Sequence, residues 1–512
     1  MGNAVDVIVA GTGPGGGTLA YALRGSGARV LMLERGDFVP QEPQNWDRTA
    51  VLVRHRYKDL GKNWINAGGQ ALMSMAFHAV GGQSKFYGGA LLRMRKGDFE
   101  GREQEDEPVS AWPISYQDLE PYYAQAERIY WVHGAAGEDP TEPWRSGSFP
   151  FPPIPHEAET EQLMGAFRHH GWTPFHLPIG IDRRPGGRCI VCPTCDGFPC
   201  QIHAKADTEV CCVRPALEDP NIELLTGAQA HRLRTDAGGR RVVAIEVVRN
   251  GQSFEHEADV FVIACGVYES PALLMRSAND RHPGGIGNGS DTVGRNLMFK
   301  QMTMLTAIHS EVPHTGTFHK TWGVHDFYAP RGSSKAYGVV QSSGKLFPAR
   351  SPNEPPDAAT QAAFAARGMN LLLMTPSRAE RENRIRIAPD GRIQVMFGPE
   401  QRGTAHAELV DAVKQTLVKV GYGEVFGVTR PYDNKVRWLW PGTHVAGSLR
   451  MGSNPADSVV DAACRVHGLD NLYVVDASVF PSQPAVNPAL TIAANALRVA
   501  DGIMGRHPPA RP

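Results

Sequence analysis

Three glycines near the N-terminus have the spacing of a loop that binds a phosphate-containing ligand. Gly11, Gly13 and Gly16 fit the pattern G-x-G-x-x-G, which follows an apolar run over residues 5–10 and opens a predicted helix. The first glycine allows a tight turn, the second lets the backbone approach a pyrophosphate, and the third allows close packing of helix on strand. The helix N-terminus then presents free N–H groups and a positive dipole to the phosphates. The spacing therefore predicts a dinucleotide site.

An acidic residue completes this motif and narrows the choice of dinucleotide. Glu34 ends the second predicted strand, residues 29–33, where a carboxylate accepts hydrogen bonds from ribose hydroxyls. Because this carboxylate would repel a 2′-phosphate, the motif favours FAD or NAD over NADP. The motif does not separate FAD from NAD, and a methyltransferase with a similar loop is a minor alternative.

Four cysteines lie close enough in the sequence to suggest a metal site. Cys189, Cys192, Cys195 and Cys200 are separated by two, two and four residues. Thiolates at such spacing can hold an iron–sulfur cluster or zinc, but the last gap is not that of a ferredoxin. We therefore favour a metal-free loop with free thiols or one or two disulfides, and keep an iron–sulfur cluster and zinc as alternatives.

The elements that must position the glycine motif form a βαβ unit at the N-terminus. Later strand-like runs over residues 222–225, 241–248 and 259–264 extend this unit, and a strand over 472–475 precedes a long helix from 489 to about 504. Strands that alternate with helices in this way are typical of a doubly wound sheet with ligands at its carboxyl edge.

Residues 300–440 have a different pattern of hydrophobic and polar residues. They contain alternating segments, such as 384–387 and 392–395, and the turn Asp390-Gly391 between these two predicts a hairpin. We therefore expect an α/β fold in which a doubly wound, Rossmann-like domain is joined to a second domain built on an antiparallel sheet.

Composition excludes several classes of protein. The 512 residues include 52 Lys plus Arg and 53 Asp plus Glu, and hydrophobic residues make up 42%. This balance argues against extensive disorder and lacks the basic excess of a nucleic-acid binder. No apolar run approaches the roughly 18 residues of a membrane span, and no signal-peptide pattern is present at the N-terminus. We therefore expect a cytoplasmic protein with neither a nucleic-acid partner nor a membrane span.

Several segments resemble a known family. They cover residues 444–452, 466–481 and 487–492, together with Gly81-Gly82 through Phe99. In this order they closely resemble the glucose–methanol–choline (GMC) family of flavin oxidoreductases. The resemblance runs from residue 5 to about residue 504 and is weakest over 300–440, the region that forms the substrate domain in that family.

The resemblance implies FAD, bound without a covalent link, in a domain of residues 1–110, 190–300 and 441–512. Residues 111–189 and 301–440 would form the substrate-binding domain. The residues implied to hold FAD are Gly11, Gly13, Gly16 and Glu34 for its ADP half; Gly81, Gly82, Ser84 and Gly88 along the pyrophosphate and flavin; Ala230, in the turn after strand 222–225, for adenine; and Asp476 and Ala477 for the pyrophosphate and ribityl chain.

The resemblance also implies that His444 and Asn487 form an active-site pair that faces the flavin. Alcohol oxidation needs a hydride acceptor, which a flavin supplies, and a group that takes the hydroxyl proton. An imidazole has an unperturbed pKa near 6.5 and can act as a base at neutral pH. A neighbouring amide can orient the hydroxyl, so His444 and Asn487 suit the two roles.

These observations together predict FAD-dependent oxidation of an alcohol carbon on a sugar, polyol, glycoside or similar hydroxylated small molecule. The expected partners are this alcohol and an electron acceptor, either oxygen or another acceptor. The alternatives are an aryl-alcohol or sterol-type substrate, a flavin-dependent lyase or isomerase that uses transient oxidation, and a flavin-binding protein without catalysis. The retained pair His444 and Asn487 counts against the last of these.

Overall fold

The computed structural model describes residues 5–58, 64–72, 76–104, 107–328, 338–346, 357–397, 404–429 and 444–505. Within these ranges the chain forms two large sheets and the α-helices Pro14–Ala22, Lys96–Phe99, Tyr116–Ile129, Ala158–His169, Arg214–Ala216, Gly266–Arg276, Ala358–Arg367, Thr404–Lys419 and Ala489–Ile503. None of the helices in the described part of the chain has both the length and the apolar character needed to cross a membrane.

The first sheet has seven strands and contains the predicted βαβ unit. In spatial order its strands are Gln229–Thr235, Val242–Arg249, Gln252–Ile263, Val5–Ala10, Val30–Leu33 and Ile222–Leu225, with Leu472–Val474 paired to Gln252–Ile263. The pairings of Val5–Ala10, Val30–Leu33, Ile222–Leu225 and Leu472–Val474 within this sheet are parallel. Because parallel strands end at the same edge, Gly11, Glu34 and Asp476 are brought to one side of the sheet.

Helices cover this sheet, and their apolar residues form its core. Pro14–Ala22 packs against Ala489–Ile503, which also packs against Tyr116–Ile129. The first helix begins four residues before the predicted start at Thr18, because a proline fits the first turn of a helix, where no internal N–H bond is needed.

The second sheet has six strands and is antiparallel throughout, as expected. In spatial order its strands are Tyr422–Thr429, Gln301–His309, Gly368–Thr375, Val339–Ser343, Trp322–Val324 and Pro174–His176. One face packs on a cluster that includes Leu371, Leu373 and residues of helix Thr404–Lys419. The alternate residue, Leu372, therefore points to the opposite face. The fold is thus the predicted Rossmann-like domain combined with an antiparallel sheet.

The predicted hairpin forms, but it does not extend the six-stranded sheet. Arg384–Ile387 pairs with Ile393–Met396, which in turn pairs in parallel with Trp64–Ile65. Alternation specifies which residues share a face but does not specify which sheet the strands join. The predicted domain boundaries stay a prediction, and the boundary between residues 440 and 441 lies outside the described residues.

Short antiparallel pairs connect the remaining segments. They are Met298–Phe299 with Val445–Ala446, Val132–His133 with Ile179–Gly180, and Arg102–Gln104 with Glu107–Val109. The first of these matters for the site, because it places His444 opposite Lys300.

Candidate active site

A cavity of about 470 Å³ runs from the carboxyl edge of the parallel strands to the antiparallel sheet. All of the predicted site residues except Gly16 and Gly81 line this cavity. The predicted residues that line it are Gly11, Gly13, Glu34, Gly82, Ser84, Gly88, Ala230, His444, Asp476, Ala477 and Asn487. The two exceptions are buried.

The three glycines of the N-terminal loop are constrained in three different ways. Gly11 has φ +101°, and a Cβ there would lie 2.2 Å from the carbonyl oxygen of Ala264. A Cβ at Gly16 would lie 2.0 Å from the carbonyl oxygen of Gly11, so this glycine permits the helix to pack against the turn. At Gly13 no heavy atom lies within 4 Å of the Cβ position. A side chain at Gly13 would therefore enter the cavity, as expected for a loop that a pyrophosphate approaches.

Glu34 fastens this loop to the second strand. Its Oε2 accepts hydrogen bonds from the backbone N–H and the hydroxyl of Thr12, at 3.1 and 2.6 Å, and its Oε1 accepts one from Gly36 N at 3.0 Å. A carboxylate offers about four lone-pair sites, so Glu34 keeps the capacity to accept a ribose hydroxyl from the cavity side.

Ala230 lines the cavity but does not lie in a turn. It belongs to strand Gln229–Thr235 and pairs with Val247, so the predicted turn location was wrong. The turn after Leu225 is shorter than expected, and the new strand begins at Gln229. A register shift between Ala230 and Arg232 interrupts the ladder at this point.

Asp476 joins two elements at the cavity wall. Its Oδ2 accepts hydrogen bonds from Gly266 N at 2.9 Å and Ser270 Oγ at 2.5 Å, while its Oδ1 accepts one from Ser478 N at 2.8 Å. Gly266 begins helix Gly266–Arg276, whose N-terminus therefore faces the cavity, as does that of Pro14–Ala22. Since the Asp476 carboxylate already occupies the N-terminus of Gly266–Arg276, an anionic ligand such as a pyrophosphate is favoured at the N-terminus of Pro14–Ala22, which has no side-chain cap.

The second glycine-rich segment, residues 81–88, contacts the N-terminal glycine loop. Gly81 donates its N–H to the hydroxyl of Thr12 at 3.1 Å, and Ser84 Oγ donates to the carbonyl oxygen of Gly81 at 2.6 Å. A Cβ at Gly88 would lie 1.6 Å from Asp196 Oδ1 and 2.1 Å from Lys320 Nζ. The absence of a side chain at Gly88 thus makes room for a buried ion pair at the wall.

This ion pair comes from the cysteine loop and the antiparallel domain. Asp196 Oδ1 accepts a short hydrogen bond from Lys320, and its Oδ2 accepts from Ser343 Oγ at 3.1 Å and Gly344 N at 2.7 Å. Burial by itself raises the pKa of Asp196, but the Lys320 ammonium and these hydrogen bonds lower it below its ordinary value of 3.8. Asp196 is therefore ionised at neutral pH.

The cysteines of this loop are free thiols, which is one of the two states expected for them; the alternative of one or two disulfides is not formed. Among the described residues, no group of three or more His, Cys, Asp or Glu side chains is placed to hold a metal ion. Burial raises the pKa of Cys189 to about 11 and also raises that of Cys195. These two thiols are protonated at neutral pH and are poor nucleophiles. Instead, the loop contributes Asp196 to the cavity.

His444 and Asn487 meet at the end of the cavity nearest the antiparallel sheet. Asn487 Nδ2 lies 3.3 Å from His444 Nε2, and Asn487 Oδ1 accepts a hydrogen bond of 2.6 Å from Gln341 Nε2. Both residues of the pair line the cavity, and Asn487 is 9% exposed. The arrangement places an imidazole nitrogen and an amide N–H within reach of one small polar group.

Lys300 holds the backbone on both sides of this pair. Its own N–H donates to the carbonyl oxygen of His444 at 3.2 Å. Its ammonium donates to the carbonyl oxygens of Ala485 at 3.1 Å and Val486 at 2.5 Å, immediately before Asn487. Lys300 is fully buried, so these bonds are shielded from water.

Sequence reasoning missed several residues of the site. Three of them lie in the region of weakest resemblance: Lys300, Lys320 and Gln341. Asp196 lies among the four clustered cysteines, for which a metal site, disulfides or free thiols were the alternatives. The same holds for the apolar residues Met302, Met304 and Leu372, which line the cavity from the antiparallel sheet. No local motif marks these positions.

Comparison with known proteins agrees with this architecture. The chain matches two family models described as GMC oxidoreductase, over residues 7–302 and 381–496. It is 30% identical to the 6'''-hydroxyparomomycin C oxidase of Streptomyces lividus, over 97% of this chain and 91% of that protein. It is also 30% identical to the paromamine 6'-oxidase of Streptomyces fradiae, over 98% and 91%.

A solved structure shares the fold over nearly all of the chain. Pyridoxine 4-oxidase from Mesorbium loti superposes with a TM-score of 0.69 and 21% identity, covering 98% of this chain and 100% of that one. The family models and the relatives confirm the resemblance carried by the sequence motifs. The chain therefore belongs to the GMC oxidoreductase family and is an FAD-dependent oxidoreductase that acts on CH–OH groups.

Proposed function

We propose that this protein oxidises a hydroxyl group of a sugar, polyol, glycoside or similar hydroxylated small molecule, and that His444 accepts the hydroxyl proton. The observation that carries the proposal is the contact of 3.3 Å between Asn487 Nδ2 and His444 Nε2 inside the cavity that begins at the glycine loop. When bound, FAD supplies the chemistry of hydride acceptance.

The cavity wall suits FAD along its length. The open space at Gly13 and the helix N-terminus at Pro14, which has no side-chain cap, favour the pyrophosphate, and we assign Glu34 to the ribose hydroxyls. We assign Gly81, Gly82, Ser84 and Gly88 to the wall along the pyrophosphate and flavin, Ala230 to adenine, and Asp476 and Ala477 to the pyrophosphate and ribityl chain.

The histidine and the asparagine have separate roles in the proposed reaction. Asn487 Nδ2 donates a hydrogen bond to the alcohol oxygen and so orients the reacting carbon. His444 Nε2 accepts the hydroxyl proton as the carbonyl forms. Lys300 keeps both residues in place through its bonds to the backbone on either side.

The substrate end of the cavity combines apolar and polar groups. Met302, Met304 and Leu372 provide apolar contacts, while Lys320 and the ionised Asp196 provide hydrogen-bond partners. A hydroxylated ring with an apolar face suits such a wall. Two of the relatives are named as oxidases of 6'''-hydroxyparomomycin C and of paromamine, which supports the glycoside class of substrate.

The test is anaerobic mixing of the holoenzyme with a panel of polyols, simple glycosides and paromamine-type aminoglycosides, followed through bleaching of flavin absorbance. We expect at least one hydroxylated glycoside or polyol to reduce the flavin and yield one equivalent of aldehyde or ketone. Flavin reduction by aryl alcohols or sterols, but by none of the polyols and glycosides, would contradict the proposed substrate class. Product formation without net oxidation would indicate a lyase or isomerase.

A further inference from the structure

We propose that Gln341 is a positioning residue, which fixes the rotation of the Asn487 side-chain amide and thereby makes His444 Nε2 a hydrogen-bond acceptor. The inference rests on the proposed function, because it concerns the pair assigned there to the alcohol. It adds a residue from the antiparallel sheet that does not itself line the cavity.

The contacts around Asn487 form a directional chain. Gln341 is fully buried on strand Val339–Ser343, and its Nε2 lies 2.6 Å from Asn487 Oδ1. An amide nitrogen can only donate and an amide oxygen can only accept. With Oδ1 facing Gln341, the NH₂ group of Asn487 must face His444 Nε2, which then presents its lone pair.

The opposite arrangement would rotate both amides by half a turn. Gln341 would then accept from Asn487, and Asn487 Oδ1 would accept from a protonated His444 Nε2. Since amide rotation and histidine tautomer are assigned from hydrogen bonds rather than observed, the surroundings of Gln341 must decide between the two.

Those surroundings favour the first arrangement. The residues directly opposite Gln341 in the sheet are Gly323 and Leu372, and neither carries a polar side chain. Gln341 Oε1 is buried and has no hydrogen-bond partner among the described residues. Rotation would put an NH₂ group with two donors in that place. Buried N–H groups without partners are rarer than under-satisfied carbonyl oxygens, so the contacts of Gln341 itself disfavour the rotated state.

The two arrangements also differ in chemistry. In both, a hydroxyl between Asn487 and His444 finds one donor and one acceptor. Only in the first is the acceptor the imidazole, which can keep the proton. In the second, the acceptor is the Asn487 amide oxygen, which is a very weak base. Gln341 therefore selects the arrangement in which His444 can take the proton.

The experiment compares His444 in wild-type holoenzyme and in Gln341→Glu by two-bond ¹H–¹⁵N spectra of ¹⁵N-histidine-labelled protein. The His444 signal is identified by its loss in His444→Ala. We expect the neutral wild-type imidazole to carry its proton on Nδ1, with Nε2 unprotonated. In Gln341→Glu, burial raises the pKa of the introduced carboxyl group, so the spectra are recorded at a pH where it is ionised. The carboxylate can then only accept, so Asn487 should rotate and Nε2 should become protonated.

Flavin reduction in the same variants provides a second readout. Gln341→Glu should reduce its flavin about 10²-fold more slowly, the lower end of what one general base contributes. Gln252→Glu, which adds the same charge at an exposed strand position, should match wild type. If Gln341→Glu does not fold, Gln341→Met tests the same bond, and it should give a mixture of both His444 tautomers.

Two results would overturn the inference. One is a neutral wild-type His444 with its proton on Nε2, a measurement that needs no variant at position 341. The other is a folded Gln341→Glu with wild-type spectra and a wild-type rate at a pH where the introduced carboxyl group is ionised. Failure of the proposed function would look different, because His444→Ala would then reduce the flavin at the wild-type rate whatever the tautomer.

Discussion

The backbone N–H of Lys300 lies 3.2 Å from the carbonyl oxygen of His444, at the end of the short strand pair Met298–Phe299 and Val445–Ala446. The same residue extends its ammonium to Ala485 and Val486, just before Asn487. The segment at His444 and the segment before Asn487 are therefore fixed to each other through one buried residue, Lys300.

Replacement of Lys300 by Met should destabilise the protein and slow the reaction together. The backbone bond to His444 persists, but two buried carbonyl oxygens lose a charged donor, which corresponds to about 2 kcal/mol or more of unfolding free energy. Urea unfolding and anaerobic flavin reduction measure the two effects. Lys419→Met, at an exposed position on helix Thr404–Lys419, is the control, and equal effects of both variants would contradict the role of Lys300.

Gly13→Val should abolish retention of FAD. The Cβ position at Gly13 faces open space in the cavity, so a valine side chain would occupy the volume assigned to the pyrophosphate. The flavin absorbance of purified protein measures retention. Gly147→Val is a matched control, since its Cβ position is also open but lies outside the cavity. A yellow Gly13→Val protein with full flavin content would place the pyrophosphate elsewhere.

FAD should be present at one per chain and should leave the protein on acid precipitation. The expectation of a non-covalent link rests on the lack of a recognisable attachment motif around His78, a histidine that lines the cavity. The measurement is the partition of flavin absorbance between supernatant and pellet. Flavin that stays in the wild-type pellet but not in that of His78→Ala would show a covalent bond.

Because of the Asp196–Lys320 pair, the free energy of unfolding should decrease as the pH becomes acidic. Because the pKa of Asp196 in the folded state lies below its ordinary value of 3.8, its ionised form stabilises the fold at higher pH, and this contribution is lost as pH falls through the folded pKa. Asp196→Asn should lack this dependence below about pH 4. It should also be less stable at pH 7, by about 3 kcal/mol, because Lys320 stays buried without its partner.

Thermal unfolding of both proteins between pH 7 and pH 3 checks this prediction. The difference in stability should be largest near neutrality and should shrink on acidification. A difference that is constant across this range would mean that the ionisation of Asp196 contributes nothing to folding.

The parts of the site that follow from local pattern were predictable from sequence. Gly11 and Glu34 come directly after strands, Asp476 follows one after a single intervening residue, and the carboxyl ends of parallel strands meet at one edge. The family also followed from motifs, because several occur in the right order. Ala230 shows the limit of this approach, since polar neighbours hid the strand that begins at Gln229.

The rest could not be predicted because tertiary contacts create it. Gln341 is an ordinary polar residue in a short strand, and only the packing of the antiparallel sheet brings it to Asn487. Asp196 reaches the cavity because Gly88 lacks a side chain, a relation between residues far apart in sequence. Such contacts leave no periodic signal in the chain.

The most direct test of the account is the rate of anaerobic flavin reduction in His444→Ala, measured by stopped flow across pH with any substrate from the panel. We expect FAD content to be unchanged and the rate to fall by roughly 10²- to 10⁴-fold. The wild-type rate should decrease at acidic pH as His444 is protonated, and this decrease should be absent from the variant. His467→Ala, a histidine bonded to Ser458 away from the cavity, should behave as wild type. A His444→Ala enzyme that reduces its flavin at the wild-type rate would contradict the assignment of His444 as the base.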